Sequence, residues 1–451
     1  MKRYIKFTAT VLSVAFLLSG CSKEENVMTS STEIQYEQDV VVNTDKLYDV
    51  LGAEDVWKEI ISDDNLYADM NVQVEVPDVS NMMVIKAEPK VYTSEDKKNI
   101  LLNLTDAQVY KYDEEFVPKG DIQLEISRTE ELIEYYSGNT QEAKDNRYYL
   151  EISLGELNDK YSVAPEDYVS ADTYEGSKFL IYMNNIKYVV EFSSTPDING
   201  LSEEKSSIEI YPLDMRTFNA DIQYDDIWLN DWVRDDWVTE ENITTITKEE
   251  AEELAIDFAT IIIDEDFEVY DSYPLKWLGK NLGIVTEDYW YDGYVVNLCR
   301  SIDGVKVDYN QYYNGSSYYD ATTGEELSTT GAHGLERIHI CVTEQGVISF
   351  CYENPYTVEN IEVGQVELLP YETIKECIIG ELSTGMYYNG GDYKYMDLMY
   401  YPIRDNKTDE YLYIPVWRFV DDKFGWMTTK YILINAMDSS VINAINQTTL
   451  E

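Results

Sequence analysis

The alternation of apolar and polar positions describes a chain of mixed helices and strands. Asn71-Val-Gln-Val-Glu-Val76 alternates at period two and stops at Pro77, which predicts a strand, and Met82 to Lys86 predicts another. Ser94 to Leu104 reads as a helix with Ile100, Leu101 and Leu104 apolar toward its end. Asp45 to Ile61 reads as helical segments interrupted near Gly52. Phe179 to Met183 and Ile186 to Phe192 predict a hairpin joined at Asn184-Asn185, because asparagine tolerates the positive φ of a tight turn.

Beyond residue 246 the signals sharpen. Thr247-Lys-Glu-Glu250 is a capping box, and Ala251, Leu254, Ala255, Phe258, Ile261 and Ile262 follow at helical spacing. Gly293 to Arg300 and Val305 to Tyr313 predict strands around the turn Ser301-Ile-Asp-Gly304. Arg337 to Thr343 and Val347 to Tyr352 predict a hairpin turning at Glu344-Gln-Gly346. A helix over Pro370 to Leu382 precedes strands over Asp392 to Tyr401 and Tyr411 to Val420, and Pro415 argues that the last is an edge strand or bulged. Tyr319 to Leu327 can be laid over Ile434 to Ile442, a faint internal repeat. The expected unit is a helix packed on an antiparallel sheet, present twice.

The expected architecture is α+β in two domains, each an antiparallel sheet with packed helices. An N-terminal α+β domain spans 43–219, an acidic aromatic linker spans 220–246, and a C-terminal α+β domain spans 247–451.

Composition changes the picture in one direction. The 451 residues carry 34 Lys and Arg against 86 Asp and Glu, a net charge of −52. Such a surface repels phosphate backbones, which excludes nucleic acid, and it resists lying flat on anionic lipid. Hydrophobic content of 44% is too high for a disordered acidic chain.

The first twenty residues differ from the rest. Lys2, Arg3 and Lys6 precede an apolar stretch from Phe7 to Leu18, the form of a secretory signal and too short for a stable membrane span. Leu18-Ser19-Gly20-Cys21 resembles the lipobox of bacterial lipoproteins. The resemblance implies a signal peptide over 1–20 and diacylglycerol, with acyl chains such as palmitate, on Cys21. Residues 21–42 are then a lipid-anchored tether, and the folded part lies on the extracytoplasmic face of the cell membrane.

Three phrases carry a second resemblance. They are the helix from Thr247, the turn Ser301-Ile-Asp-Gly-Val305 after a strand, and Ile414-Pro-Val-Trp-Arg-Phe419 followed by Ile434-Asn-Ala-Met-Asp438. Together they resemble the PepSY-like and YycI-like extracytoplasmic modules of Gram-positive bacteria. With the lipobox, the whole resembles clostridial-type lipoproteins that contain such modules. Ser439 stands where the terminal turn of these modules usually has glycine. The resemblance covers roughly Thr247 to Ile445 and contributes no catalytic residues. It implies two helix-on-sheet units in the C-terminal half and a lipid-anchored accessory protein. The partner would be the ectodomain of a membrane protein such as a sensor kinase, or an exported enzyme such as a peptidase.

Catalytic chemistry is sparse. His333 sits in a glycine-flanked turn and His339 in an expected strand, neither with a partner at metal spacing. No G-x-S-x-G elbow or Walker glycine pattern occurs, and no cofactor is expected. Paired carboxylates are uninformative where acids are so numerous, so a carboxylate-dependent hydrolase rests on their number alone. Asp225, Asp226, Trp228, Trp232 and Trp237 crowd one segment. Trp228 and Trp232 would share a helix face, and the cluster is a candidate binding surface for a glycan, a peptide or a cation such as calcium. A solvated acidic face and an apolar plug between domains explain the same residues. The reading favoured is a non-enzymatic binding or regulatory lipoprotein, with ligand capture by the Tyr- and Trp-rich acidic surface as the alternative.

Overall fold

The structure is a computed structural model that describes residues 45–62, 67–113, 116–195, 205–213, 223–224, 245–281, 284–309, 318–319, 326–327, 336–383, 393–404, 411–421, 430–443 and 448–449. In chain order the first elements are α1 (Leu47–Leu51), β1 (Val56–Ser62), β2 (Tyr67–Glu75), β3 (Met83–Pro89), α2 (Ser94–Leu104), β4 (Tyr110–Lys111), α3 (Lys119–Tyr135), α4 (Gln141–Val163), β5 (Lys178–Met183), β6 (Ile186–Thr195) and β7 (Lys205–Pro212). Next come β8 (Gln223–Tyr224), α5 (Lys248–Ile262), β9 (Phe267–Asn281), β10 (Ile284–Ile302), β11 (Val305–Lys306), β12 (Tyr318–Tyr319) and β13 (Glu326–Leu327). The last are β14 (Arg337–Thr343), β15 (Gly346–Glu353), β16 (Tyr356–Gln365), α6 (Tyr371–Ser383), β17 (Tyr393–Arg404), β18 (Tyr411–Asp421), β19 (Lys430–Asn435), β20 (Ile442–Asn443) and β21 (Thr448–Thr449).

Two large sheets organise the described residues, with helices packed on each, so the fold is α+β. A seven-stranded sheet runs β1-β2-β17-β18-β3-β16, with β19 beside β18. A ten-stranded sheet runs β4-β5-β6-β7-β15-β14-β10-β9-β8, with β11 beside β10. Within them every pairing is antiparallel except β2 with β17. Segment 220–246 separates two halves of the sequence but not the two sheets. Strands β1 to β3 complete the sheet of β16 to β19, while β5 to β7 join β9, β10, β14 and β15.

Local turn chemistry is where sequence and structure agree most closely. Asn184 and Asn185 take φ of 52° and 64°, and Asp303 and Gly304 take 52° and 81°, the paired positive values of tight hairpin turns. Thr247 and Glu250 form the reciprocal capping box at the start of α5. Ser439 has φ of 62°, so the serine occupies the left-handed position that glycine fills more cheaply.

Each sheet carries its own helix. Helix α5 lays Ala251, Ala255, Ala259 and Ile262 on the ten-stranded sheet beside Ile100, Leu101 and Leu104 of α2. The expected face of α5 is rotated, since Leu254 and Ile261 are exposed. Alanines bring the helix close to the sheet, and larger neighbours are turned outward. Helix α6 packs Ile374, Ile378 and Leu382 into a core with Trp57, Trp417 and Phe419.

Two expectations need correction. The segment after Gly52 is strand β1, not helix, and pairs antiparallel with β2. Its buried Trp57 and Ile61 are four residues apart, a spacing that suits one helix face and one strand face equally. Strand β18 is not an edge strand, since β17 flanks one side while β3 and β19 share the other. On that shared side β3 pairs with Tyr411 to Tyr413 and β19 with Val416 to Asp421. Pro415 falls between the two partners, where a missing donor costs no ladder bond, and its carbonyl accepts from Ala436 N.

Gly293 marks a register shift in β10 between Tyr291 and Tyr294 and has φ of 102°. A Cβ there would collide with the carbonyl oxygen of Val342 on β14. Gly293→Ala should therefore cost about 2–3 kcal/mol, read as a lowered urea midpoint. An unchanged midpoint would mean that the two strands part there without cost.

Candidate functional site

Helices α3 and α4 form an arm whose main packing is on each other rather than on either sheet. Helix α3 buries Ile122, Ile126 and Thr129, whereas the 23 residues of α4 bury only Ala143. At the base of the arm, against the β5–β6 turn, lies a groove of about 480 Å³. Its walls include Ile122 and Leu124 of α3, Leu157 and Val163 of α4, Ile186 of β6, and Leu213. That volume lies in the range of pockets that take small ligands or a few side chains.

The charges in the groove are largely paired with one another. Asp121 accepts from Lys187 Nζ and from the Tyr168 hydroxyl, and Arg128 bonds Glu125. Lys187 also lies 5.3 Å from the centre of the Tyr168 ring. Burial, and then the bonded Asp121 carboxylate, hold the Tyr168 phenol well above its usual range, so it remains a donor. The lip stays apolar and wet: Phe116 is 63% exposed, Leu124 54% and Val163 84%.

A second polar region joins the two sheets. Arg418 of β18 donates to both oxygens of Asp397 on β17, at 3.0 and 2.6 Å. It also donates to Asp308 Oδ1 at 2.5 Å and to the Tyr270 hydroxyl of β9 at 2.8 Å. Asp308 has no accessible surface on its side chain, and its Oδ2 has no hydrogen-bond partner. Burial pushes its carboxyl above the usual range, while Arg418 works against that shift. Arg300 of β10 is buried in the same way. It donates to both oxygens of Glu336, at 2.6 and 2.7 Å, and to the carbonyl of Tyr356 on β16 at 2.9 Å. Each arginine thus ties a strand of one sheet to a strand of the other.

Register also builds a polar line across the ten-stranded sheet. Lys178, Glu191, Glu209, Cys351, His339, Asn297 and Asp271 oppose one another in turn on β5, β6, β7, β15, β14, β10 and β9, and so share one face. Asn297 donates through Nδ2 to Asp271 Oδ1 at 2.7 Å. A carboxylate only accepts, so the amide oxygen must face His339 Nδ1 at 3.0 Å, and it also accepts from the Tyr309 hydroxyl at 2.9 Å. The neutral ring then carries its proton on Nδ1. Nε2 keeps a lone pair 3.9 Å from Cys341 Sγ. A thiol beside such a nitrogen can pass its proton to it, but Cys341 has no exposed surface and so no open side toward a substrate. The one local signal for this pair is His339-Ile-Cys341, which places both side chains on one face of a strand. Asn297 lies 42 residues away from His339.

Cys21, Asp225, Asp226, Trp228, Trp232 and Trp237 are outside the described residues, as is His333. Cys299, Cys341, Cys351 and Cys377 are thiols, not disulfides. Among the described residues no group of three His, Cys, Asp or Glu is arranged to hold a metal, and no helix is long and apolar enough to cross a membrane.

No family model matches the chain, and no curated protein matches it. Among solved structures it is similar to an uncharacterised protein from Eubacterium rectale ATCC 33656, at 15% identity and a TM-score of 0.39, over 89% of this chain and 96% of that one. It is also similar to the Bacillus megaterium YpeB C-terminal domain, at 13% identity and a TM-score of 0.21, over 60% of this chain and 88% of that one.

Proposed function

We propose that the chain is a non-enzymatic binding or regulatory protein, held on the extracytoplasmic face of the cell membrane by lipid on Cys21. The observation that carries the docking part is the α3–α4 arm, with its apolar groove and exposed lip. An apolar lip on a strongly acidic protein is where a partner gains most from excluding water. The partner class is the ectodomain of a membrane protein such as a sensor kinase, or an exported enzyme such as a peptidase.

Two experiments test this reading. Cys21→Ala should move the protein from the membrane pellet to the soluble fraction or medium; retention in the pellet would remove the lipid anchor. A photo-cross-linking residue at Leu124 or Val163 should capture the same ectodomain or enzyme from living cells. The exposed Tyr395 on β17 serves as the control position. Equal capture from all three positions would remove the arm as a docking site.

A further inference from the structure

Resting on that docking reading, we infer that the groove at the base of the α3–α4 arm takes an apolar polypeptide segment flanked by lysine and arginine. Three observations lead there. Both acids that line the groove are paired in place, Asp121 with Lys187 and Glu125 with Arg128, which leaves Lys160 as the remaining charge on a wall that otherwise suits uncharged apolar side chains. Phe116, Leu124 and Val163 line the groove at its open lip and still stand largely in water. A ligand small enough to sit within about 480 Å³ leaves that lip exposed, while a polypeptide that enters with a few side chains runs on over it. Finally, the two helices that frame the groove carry ten Asp and Glu against five Lys and Arg. The chain as a whole is at −52. Residues flanking the inserted segment therefore meet a negative surface, which favours cationic side chains and opposes acidic ones. The same field disfavours an anionic lipid surface as the occupant.

The test uses the purified full-length protein and three probes: an amphipathic leucine–lysine helical peptide, its leucine–glutamate counterpart, and sodium laurate. Calorimetric titration should show binding of the leucine–lysine peptide, weakened about tenfold between 0.1 M and 1 M salt, and no binding of the acidic counterpart. A cationic peptide would also adhere loosely to any surface this acidic. Leu124→Glu and Val163→Glu separate the two cases, because each adds negative charge at an exposed position where folding is not at risk. Loose adhesion would strengthen in these variants, whereas seating in the groove should weaken about tenfold. Stronger binding in the variants, equal binding of the acidic peptide, or displacement of the peptide by laurate without salt dependence would each overturn the inference. If Leu124 still captures one partner in cells under those outcomes, only the cationic assignment falls. If no probe binds and nothing specific is captured, the docking reading falls with it.

Discussion

Arg418→Met is expected to lower the stability of the protein by about 3–5 kcal/mol, because it strands the buried Asp308 and the half-buried Asp397 without their cation. Asp397 and Asp308 both depend on this guanidinium, one through a two-bond fork and the other through Oδ1 alone. The Arg418 side chain is 13% exposed, Asp397 16% and Asp308 0%, so water cannot replace the donor lost at Asp308. Arg418→Lys should lose less, since it keeps the charge and gives up the planar fork. The triple variant Arg418→Met, Asp397→Asn, Asp308→Asn should regain much of the loss, because no unpaired charge is left inside. Lys98→Ala, which breaks the exposed pair with Glu95, is the control and should cost less than about 1 kcal/mol. Chemical denaturation reads all four. A loss for Arg418→Met no greater than for Lys98→Ala would mean that the seam between the sheets opens to solvent.

What the sequence makes legible follows from which forces are local. Turn and cap chemistry is written in adjacent residues, and so the Asn184-Asn185 turn, the Asp303-Gly304 turn and the Thr247 box are all found at their expected places. The second halves of those contacts are not written locally. Nothing near β1 to β3 says that they complete the sheet of β16 to β19, because backbone pairing is indifferent to sequence distance. Arg418 is visible in Ile414-Pro-Val-Trp-Arg-Phe419, yet its partners Asp308 and Tyr270 lie 110 and 148 residues away. The α3–α4 arm escapes for a different reason. Helix α4 buries one alanine, so no apolar stripe of helical period marks it.

Asp308 should make stability depend on pH in a way its asparagine variant does not. Its carboxyl is raised in the folded state, first by burial and then by the neighbouring Asp397 carboxylate, against the lowering effects of Arg418 and a backbone hydrogen bond from Tyr309. A raised acid binds its proton more tightly folded than unfolded. Its contribution to stability is therefore complete below the unfolded carboxyl value of about 3.9 and is lost as pH rises through the raised folded value. Glu209 acts with the same sign, raised by burial and then by Glu191 and Glu353. Many other carboxylates titrate in this window, so the reading is a difference. Stability of Asp308→Asn minus that of the unaltered protein should rise as pH climbs above about 4 and level off above the raised folded value. A flat difference would mean that Arg418 compensates the carboxylate fully. The two perturbations are also coupled. Without Arg418 the strongest influence lowering the Asp308 carboxyl is gone, so its folded value climbs further, and acid should restore part of the stability lost in Arg418→Met. Recovery at low pH that vanishes when Asp308→Asn is added to Arg418→Met would locate the proton on Asp308; recovery that persists would mean that Asp308 is not the group that takes it up.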